Sequence, residues 1–249
     1  MKKFSLFIIA ITMFSACKTS FIMNDQWLGH WVNKAFVDSI QLTKNPNLIQ
    51  NTPFVELIFD RPDSNLRQFI IGKESRSLTY VPLDENTLEV KNYQNATNAF
   101  LVLQDNQILL QDLDHKTIAS FIKITAQDFP NEDISSFISY GVCYINKILF
   151  SGNYQYDDAE KVTFHSNGGI TGLPDMSTYA PCLSGECLSM SKKANLYATN
   201  KQSEGKNYDW EIKNDSLFIY DLDYSRYPMQ MDKYDRKNIK YALKKINET

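Results

Sequence analysis

Along most of the chain apolar and polar residues alternate with a period of two. Thr87-Leu88-Glu89-Val90-Lys91-Asn92 puts Leu88 and Val90 on one face and Glu89 and Lys91 on the other, which predicts a half-buried strand. Lys161-Val162-Thr163-Phe164-His165 and Tyr208-Asp209-Trp210-Glu211-Ile212-Lys213 repeat the pattern. Further strands are predicted over 54–60, 66–71, 78–82, 99–104 and 108–113. Turn signals separate the strands: Arg61-Pro62-Asp63, Asp84-Glu85-Asn86, Asp105-Asn106, Ser166-Asn167-Gly168-Gly169 and Lys213-Asn214-Asp215. Short strands joined by short turns imply antiparallel meanders, and closure into barrels removes their exposed edges. Alternation alone looks the same in two closed barrels and in two flattened sandwiches.

Two segments change period. Ala35 to Thr43 carries Phe36, Val37, Ile40 and Leu42 ahead of Asn45-Pro46, which predicts a short helix plugging one end of the first barrel. Ile134, Phe137, Ile138, Ile145, Ile148 and Leu149 recur at helical spacing, and this helix is expected to link two blocks. Those blocks look duplicated. Gly29-His30-Trp31 opens the first and Gly152-Asn153-Tyr154 the second, while the run Gln104 to Asp114 lies over Lys213 to Asp223, with polar turn, apolar run and Asp-Leu-Asp ending in common. Each block closes on a similar strand, Ile118 to Ile124 and Ile239 to Ile246. The alternative is one larger β domain with repeated hairpins.

Gly29-x-Trp31, its weaker copy Gly152-x-Tyr154 and the run of short strands after each resemble the lipocalin and wider calycin superfamily. Val162-x-Phe164, Tyr208-x-Trp210 and Leu217-x-Ile219 are similar to the strands of short lipocalin-like domains in bacterial lipoproteins. One departure concerns chemistry: lipocalins pack a late-strand Arg on the entrance Trp, whereas the closing strands here offer Lys123, Lys244 and Lys245. The expected fold is therefore all-β, mainly antiparallel, with two tandem lipocalin-like meander barrels joined by a helix after a cleaved lipoprotein signal. The boundaries expected are a signal peptide over 1–16, a lipidated tether over 17–26, a first β domain over 27–128, a linking helix over 129–150 and a second β domain over 151–249.

The leader carries Lys2 and Lys3 before an apolar run, Phe4 to Phe14, too short to span a bilayer. It ends in Phe14-Ser15-Ala16-Cys17, which resembles the bacterial lipoprotein signal. The resemblance implies acylation of Cys17, stable anchoring through the buried acyl chains and an outer-membrane location, with the leaflet open. The opening Trp31-Val32-Asn33, followed by a helix and Thr43-Lys44, is similar to lipoproteins of the Bacteroidota, a resemblance that carries no activity.

Composition narrows the partners. A net charge of −3 over 249 residues, less positive still once Lys2 and Lys3 leave with the signal, offers no basic excess for nucleic acid. The chain holds three His and four Cys in no recognised metal spacing, and it has no phosphate loop or nucleophile elbow. No cofactor, no metal and no catalysis are expected. In an oxidising compartment Cys182 and Cys187, flanking Leu-Ser-Gly-Glu, are expected to pair, and Cys143 reads as a buried thiol. Asp221 with Asp223, and Asp157, Asp158 and Glu160, read as solvated acidic turns more readily than as a calcium site.

Two function classes remain. In the first, a small apolar ligand sits inside a barrel lined by Leu88, Val90, Val162, Phe164, Trp210 and Ile212; the same residues equally suit a filled core. In the second, an accessory lipoprotein works by protein contacts. Eight of the fourteen Tyr fall between Tyr179 and Tyr241. The segment Tyr224 to Lys237, with Tyr224, Tyr227 and Tyr234, has no counterpart in the first block and suits a partner loop.

Overall fold

The computed structural model describes residues 25–49, 54–59, 66–70, 76–94, 97–129, 139–156, 160–183, 195–223, 225 and 235–246. The signal over 1–16, Cys17, most of the tether, Cys187, Tyr224, Tyr227 and Tyr234 lie outside them.

Antiparallel strands form two barrel-like sheets. The first contains β1 (Gly29–Asn33), β2 (Val55–Phe59), β3 (Leu66–Ile70), β4 (Arg76–Leu78), β5 (Tyr80–Asp84), β6 (Thr87–Gln94), β7 (Thr97–Gln104), β8 (Gln107–Gln111) and β9 (Thr117–Ile124). Except for β4 and β5, each strand pairs its neighbour in sequence, and β9 pairs β1. β4 and β5 act as one bent strand: β4 pairs β3, β5 pairs β6, and the amide of Lys91 donates to the Thr79 carbonyl between them. Chain continuity thus completes the ring.

The second sheet contains β10 (Gly152–Tyr156), β11 (Glu160–Phe164), β12 (Ile170–Thr171), β13 (Thr178–Pro181), β14 (Asn195–Thr199), β15 (Gly205–Lys213), β16 (Ser216–Asp223) and β17 (Asp235–Ile246). Here β17 pairs β10, and the β12–β13 seam is bridged at Gly169 and Thr178. With β4 and β5 counted together, both sheets are eight-stranded meanders in the same order. Their β7–β8 and β15–β16 turns also match, since Asp105-Asn106 and Asn214-Asp215 all take left-handed φ, between 48° and 59°, as tight hairpin turns require.

The two entrances share one construction. Gly29 and Gly152 have φ of +116° and +137°, a conformation that favours glycine. Trp31 lies opposite Lys123, whose ammonium sits 5.2 Å from the indole centroid, and Tyr154 lies opposite Lys245 at 5.9 Å. The Trp31 indole donates to the Trp27 carbonyl (2.9 Å) and the Tyr154 hydroxyl to the Phe150 carbonyl (2.7 Å), each four residues back. Lysine thus takes the place expected of a late-strand Arg.

Two helices separate the barrel cores. α1 (Lys34–Thr43) ends at Lys44, which adopts a left-handed φ of 50°. α2 (Tyr140–Leu149) starts at Ser139, whose hydroxyl accepts from the Val142 amide. Of the linking helix expected over 129–150, residues 130–138 lie outside the described residues and α2 begins at Tyr140. α1 does not plug the first barrel. Its buried Phe36, Val37 and Ile40 join Val32 and Ile124, on the outer wall of that barrel, and residues of α2. The interior behind that wall already holds Trp27, Trp31, Phe59, Leu88, Val90, Leu101 and Phe121, which leaves a plug nothing to cover. α2 runs from this outer wall to the base of the second barrel, where Phe150 enters the core.

Candidate site at the mouth of the second barrel

Five of the six expected lining residues, Leu88, Val90, Val162, Phe164 and Trp210, are buried, and Ile212 is partly buried against the second core. They belong to, or pack against, the two buried clusters. Phe150 lies among them: its ring is 4.7 Å from Trp210, 5.3 Å from Tyr179 and 6.5 Å from Phe164, centroid to centroid. The contacts with Trp210 and Tyr179 are edge-to-face and that with Phe164 is stacked, and such pairs add to the area that each ring buries. The indole nitrogen of Trp210 is buried with no partner among the described residues.

Open space appears at the opposite end of this barrel, beside the start of β11, the β12–β13 connection and the β14–β15 turn. A cavity of about 590 Å³ lies there, within the range of small-molecule sites. Ile170, Leu173 and Met176 are buried and give it an apolar floor, while Glu160, Lys161, Thr171, Pro174 and Lys201 form an exposed rim. None of the six expected ligand residues lines it.

The loop over this cavity is tied to the barrel by charge. Asp175 accepts from the Tyr241 hydroxyl and from the Lys240 ammonium, the latter at 2.6 Å. Lys206 pairs with Asp221 at 2.6 Å, and both lysines approach the Tyr208 ring, at 5.1 and 5.8 Å. Burial alone would raise the Asp175 carboxyl; the hydrogen bonds from Lys240 and Tyr241 outweigh it and hold the group below its usual range. Burial and the bond to Asp175 both push the Tyr241 phenol up.

On the outer wall, Arg236 of β17 reaches across β16 to β15. It pairs with the fully buried Asp209 at 2.5 Å and with Glu211 at 3.0 Å, and stacks 4.3 Å over Tyr220. Burial works against the charge on Glu211, yet bonds from Tyr220, Lys213 and Arg236 bring its pKa down to about 2. Burial and the bond to Glu211 push Tyr220 up to about 12.

A third polar cluster joins the first barrel to α2. Glu56, fully buried, accepts from His30 Nδ1 (2.7 Å) and the Gly141 amide (3.1 Å), while the His30 ring stacks on Tyr140 at 4.4 Å. Its second oxygen has no partner among the described residues. Sequence spacing did not bring Glu56 to His30. The available signal was one acid inside the apolar run Phe54 to Phe59.

No group of three or more His, Cys, Asp or Glu that could hold a metal occurs among the described residues, and Asp221 is engaged by Lys206. Cys182 is disulfide-bonded, and Cys187, its expected partner, lies outside the described residues, as do Cys17 and the tyrosines of the expected partner loop. Among the described residues no helix is long and apolar enough to cross a membrane. Comparison with family models, curated proteins and solved structures returns no match.

Proposed function

We propose that this protein is an envelope lipoprotein of binding type, anchored in an outer membrane through Cys17 and built from two lipocalin-like barrels. Its small ligand, with an apolar part, is held at the mouth of the second barrel instead of inside either one. One observation carries the reading: the cavity of about 590 Å³ has a floor of Ile170, Leu173 and Met176, whereas the six expected lining residues pack within the described cores and none of them faces it. Such a concave apolar floor with a polar rim is the common form of a small-molecule site. No catalytic role, cofactor or nucleic acid belongs to this reading.

Native mass spectrometry of the exported protein, followed by organic extraction, tests it. The expected result is a reproducible small-molecule mass that disappears in Thr171→Trp, which fills the rim from an exposed position. A clean apo mass in every preparation overturns the proposal.

The second reading, an accessory lipoprotein acting by protein contacts through Tyr224, Tyr227 and Tyr234, gains one observation of its own. Leu113, in the β8–β9 turn, and Ile118, at the start of β9, are 55% and 54% exposed. Mild crosslinking of the same preparations supports it by recovering a stoichiometric partner.

A further inference from the structure

Resting on the reading that Cys17 carries the anchor, we infer that the first barrel lies with the outer wall of β5–β9 against the lipid surface. Ala99, Leu101, Leu103, Ile108 and Leu110 belong to the interior, so by alternation Phe100, Val102 and Leu109 face outward. All three are partly exposed, and Val102 and Leu109 are direct cross-strand partners. Val81 and Leu83 on β5, at 42% and 54% exposure, and Ile118 on β9, at 54%, extend the wall. Val81 shares a row with Phe100 and with Glu89, whose carboxylate pairs with Lys91 at 2.5 Å.

The second barrel builds the same place differently. The match of Gln104 to Asp114 with Lys213 to Asp223, carried back along β7 and β15, sets Asp209 and Glu211 at the positions of Phe100 and Val102. Register agrees, since Phe100 lies opposite Gln111 and Asp209 opposite Tyr220. Both acids are paired with Arg236. One frame thus carries an ion-paired wall and the other an apolar one.

The tether decides what meets the apolar wall. The Trp27 indole donates to the carbonyl of Glu85, two residues past Leu83, and the Gln26 carbonyl accepts from Lys123 of β9. The chain therefore joins the barrel at one end of this wall. Cys17 and Asp25 are eight positions apart, a span of at most about 29 Å, so an acyl anchor keeps the first barrel at the bilayer surface. End-on contact would press the exposed Asp84, Glu85 and Asp105 into lipid, whereas the side wall offers aliphatic and aromatic carbon. A few apolar side chains on a convex wall fall short of the roughly 20–30 residues a side of a stable protein interface. Against lipid they suffice, because the anchor already holds the two surfaces together.

The test places a bimane label at Leu83→Cys, at Ile118→Cys or, on the second barrel, at Lys213→Cys, all exposed positions, in the full acylated chain. Cys143 is buried and does not compete for the label. In vesicles of phosphatidylcholine brominated on its acyl chains, fluorescence is expected to be lost at Leu83→Cys and Ile118→Cys and kept at Lys213→Cys. Intact mass reads the anchor separately: an unmodified Cys17 overturns the anchoring reading and the inference with it. Acylated chains whose wall labels stay bright, or whose three labels are quenched alike, overturn the inference alone. A disulfide-linked dimer of unlabelled Ile118→Cys on the vesicles assigns the wall to a second copy and overturns it as well.

Discussion

The two barrels begin alike and end differently. Each opens with a positive-φ glycine, an aromatic residue braced on a carbonyl four residues back, and a lysine from the closing strand laid over the ring. In the first barrel the residue at the base is Trp27, part of a short 3-10 turn, and its indole donates to the Glu85 carbonyl at 3.1 Å. In the second it is Phe150, which caps the end of α2. The same frame therefore accepts its base residue from a turn or from a helix. Tying the second barrel to α2 also links it to the outer wall of the first, because α2 begins at the Glu56–His30 pair. The first barrel takes its base residue from the short turn just ahead of β1, and the second takes its own from a helix that also packs on the first barrel's outer wall.

Truncating the two base residues gives the largest test of that contrast. Phe150→Ala and Trp27→Ala are each expected to cost about 3–5 kcal/mol. Trp27→Ala should perturb the amides of the first barrel alone, while Phe150→Ala should also loosen α1 and α2, since all belong to one core. Amide exchange resolved along the chain reads this, and equal, barrel-confined losses would remove the distinction.

The outer-wall network comes next. Arg236→Met leaves Asp209 as a buried carboxylate without its ion partner and should cost about 3 kcal/mol, measured by denaturant unfolding. The sign of the pH response follows from Glu211. Its folded pKa of about 2 lies below the ordinary 4.5, so its stabilisation is complete above that ordinary value and is lost as pH falls towards 2. Thermal unfolding across this window should show a steeper loss in the native chain than in Glu211→Gln. Parallel slopes in the two proteins would exclude Glu211 as the source.

The smallest effect separates the two entrances. Tyr154→Phe removes the bond to the Phe150 carbonyl and keeps the ring under Lys245, so a loss of about 1 kcal/mol is expected. A loss near zero would mean that the ring and lysine suffice, as an anchor common to both barrels.

Much of the frame was legible because a strand writes its faces into the sequence. Leu88 with Val90, Val162 with Phe164, and Trp210 alternate with polar neighbours, and all turn inward. The paired turns Asp105-Asn106 and Asn214-Asp215 announced the same hairpin twice. What alternation cannot reveal is whether an inward face meets a void or another side chain. That depended on Phe150, whose place in the core comes from the docking of α2. The apolar stripe of α1 was equally clear, but not the wall it would cover. The mouth was hidden for a different reason. Asp175 and Tyr241 stand 66 positions apart, and only closure of the ring brings them together.

Pairing of the first strand with the last has a consequence for how the chain comes to be folded. β1 cannot find β9, nor β10 find β17, until nearly the whole length of its barrel exists, and contacts so distant in sequence form slowly. Until then each growing meander carries two bare edges, the kind of surface on which chains aggregate. Synthesis of the second barrel reaches its closing partner only with the residues of β17, Asp235–Ile246. A nascent chain halted before that strand has an open sheet in place of its second barrel, although its first can already have closed at β9, so the protein matures in two steps and the second comes last.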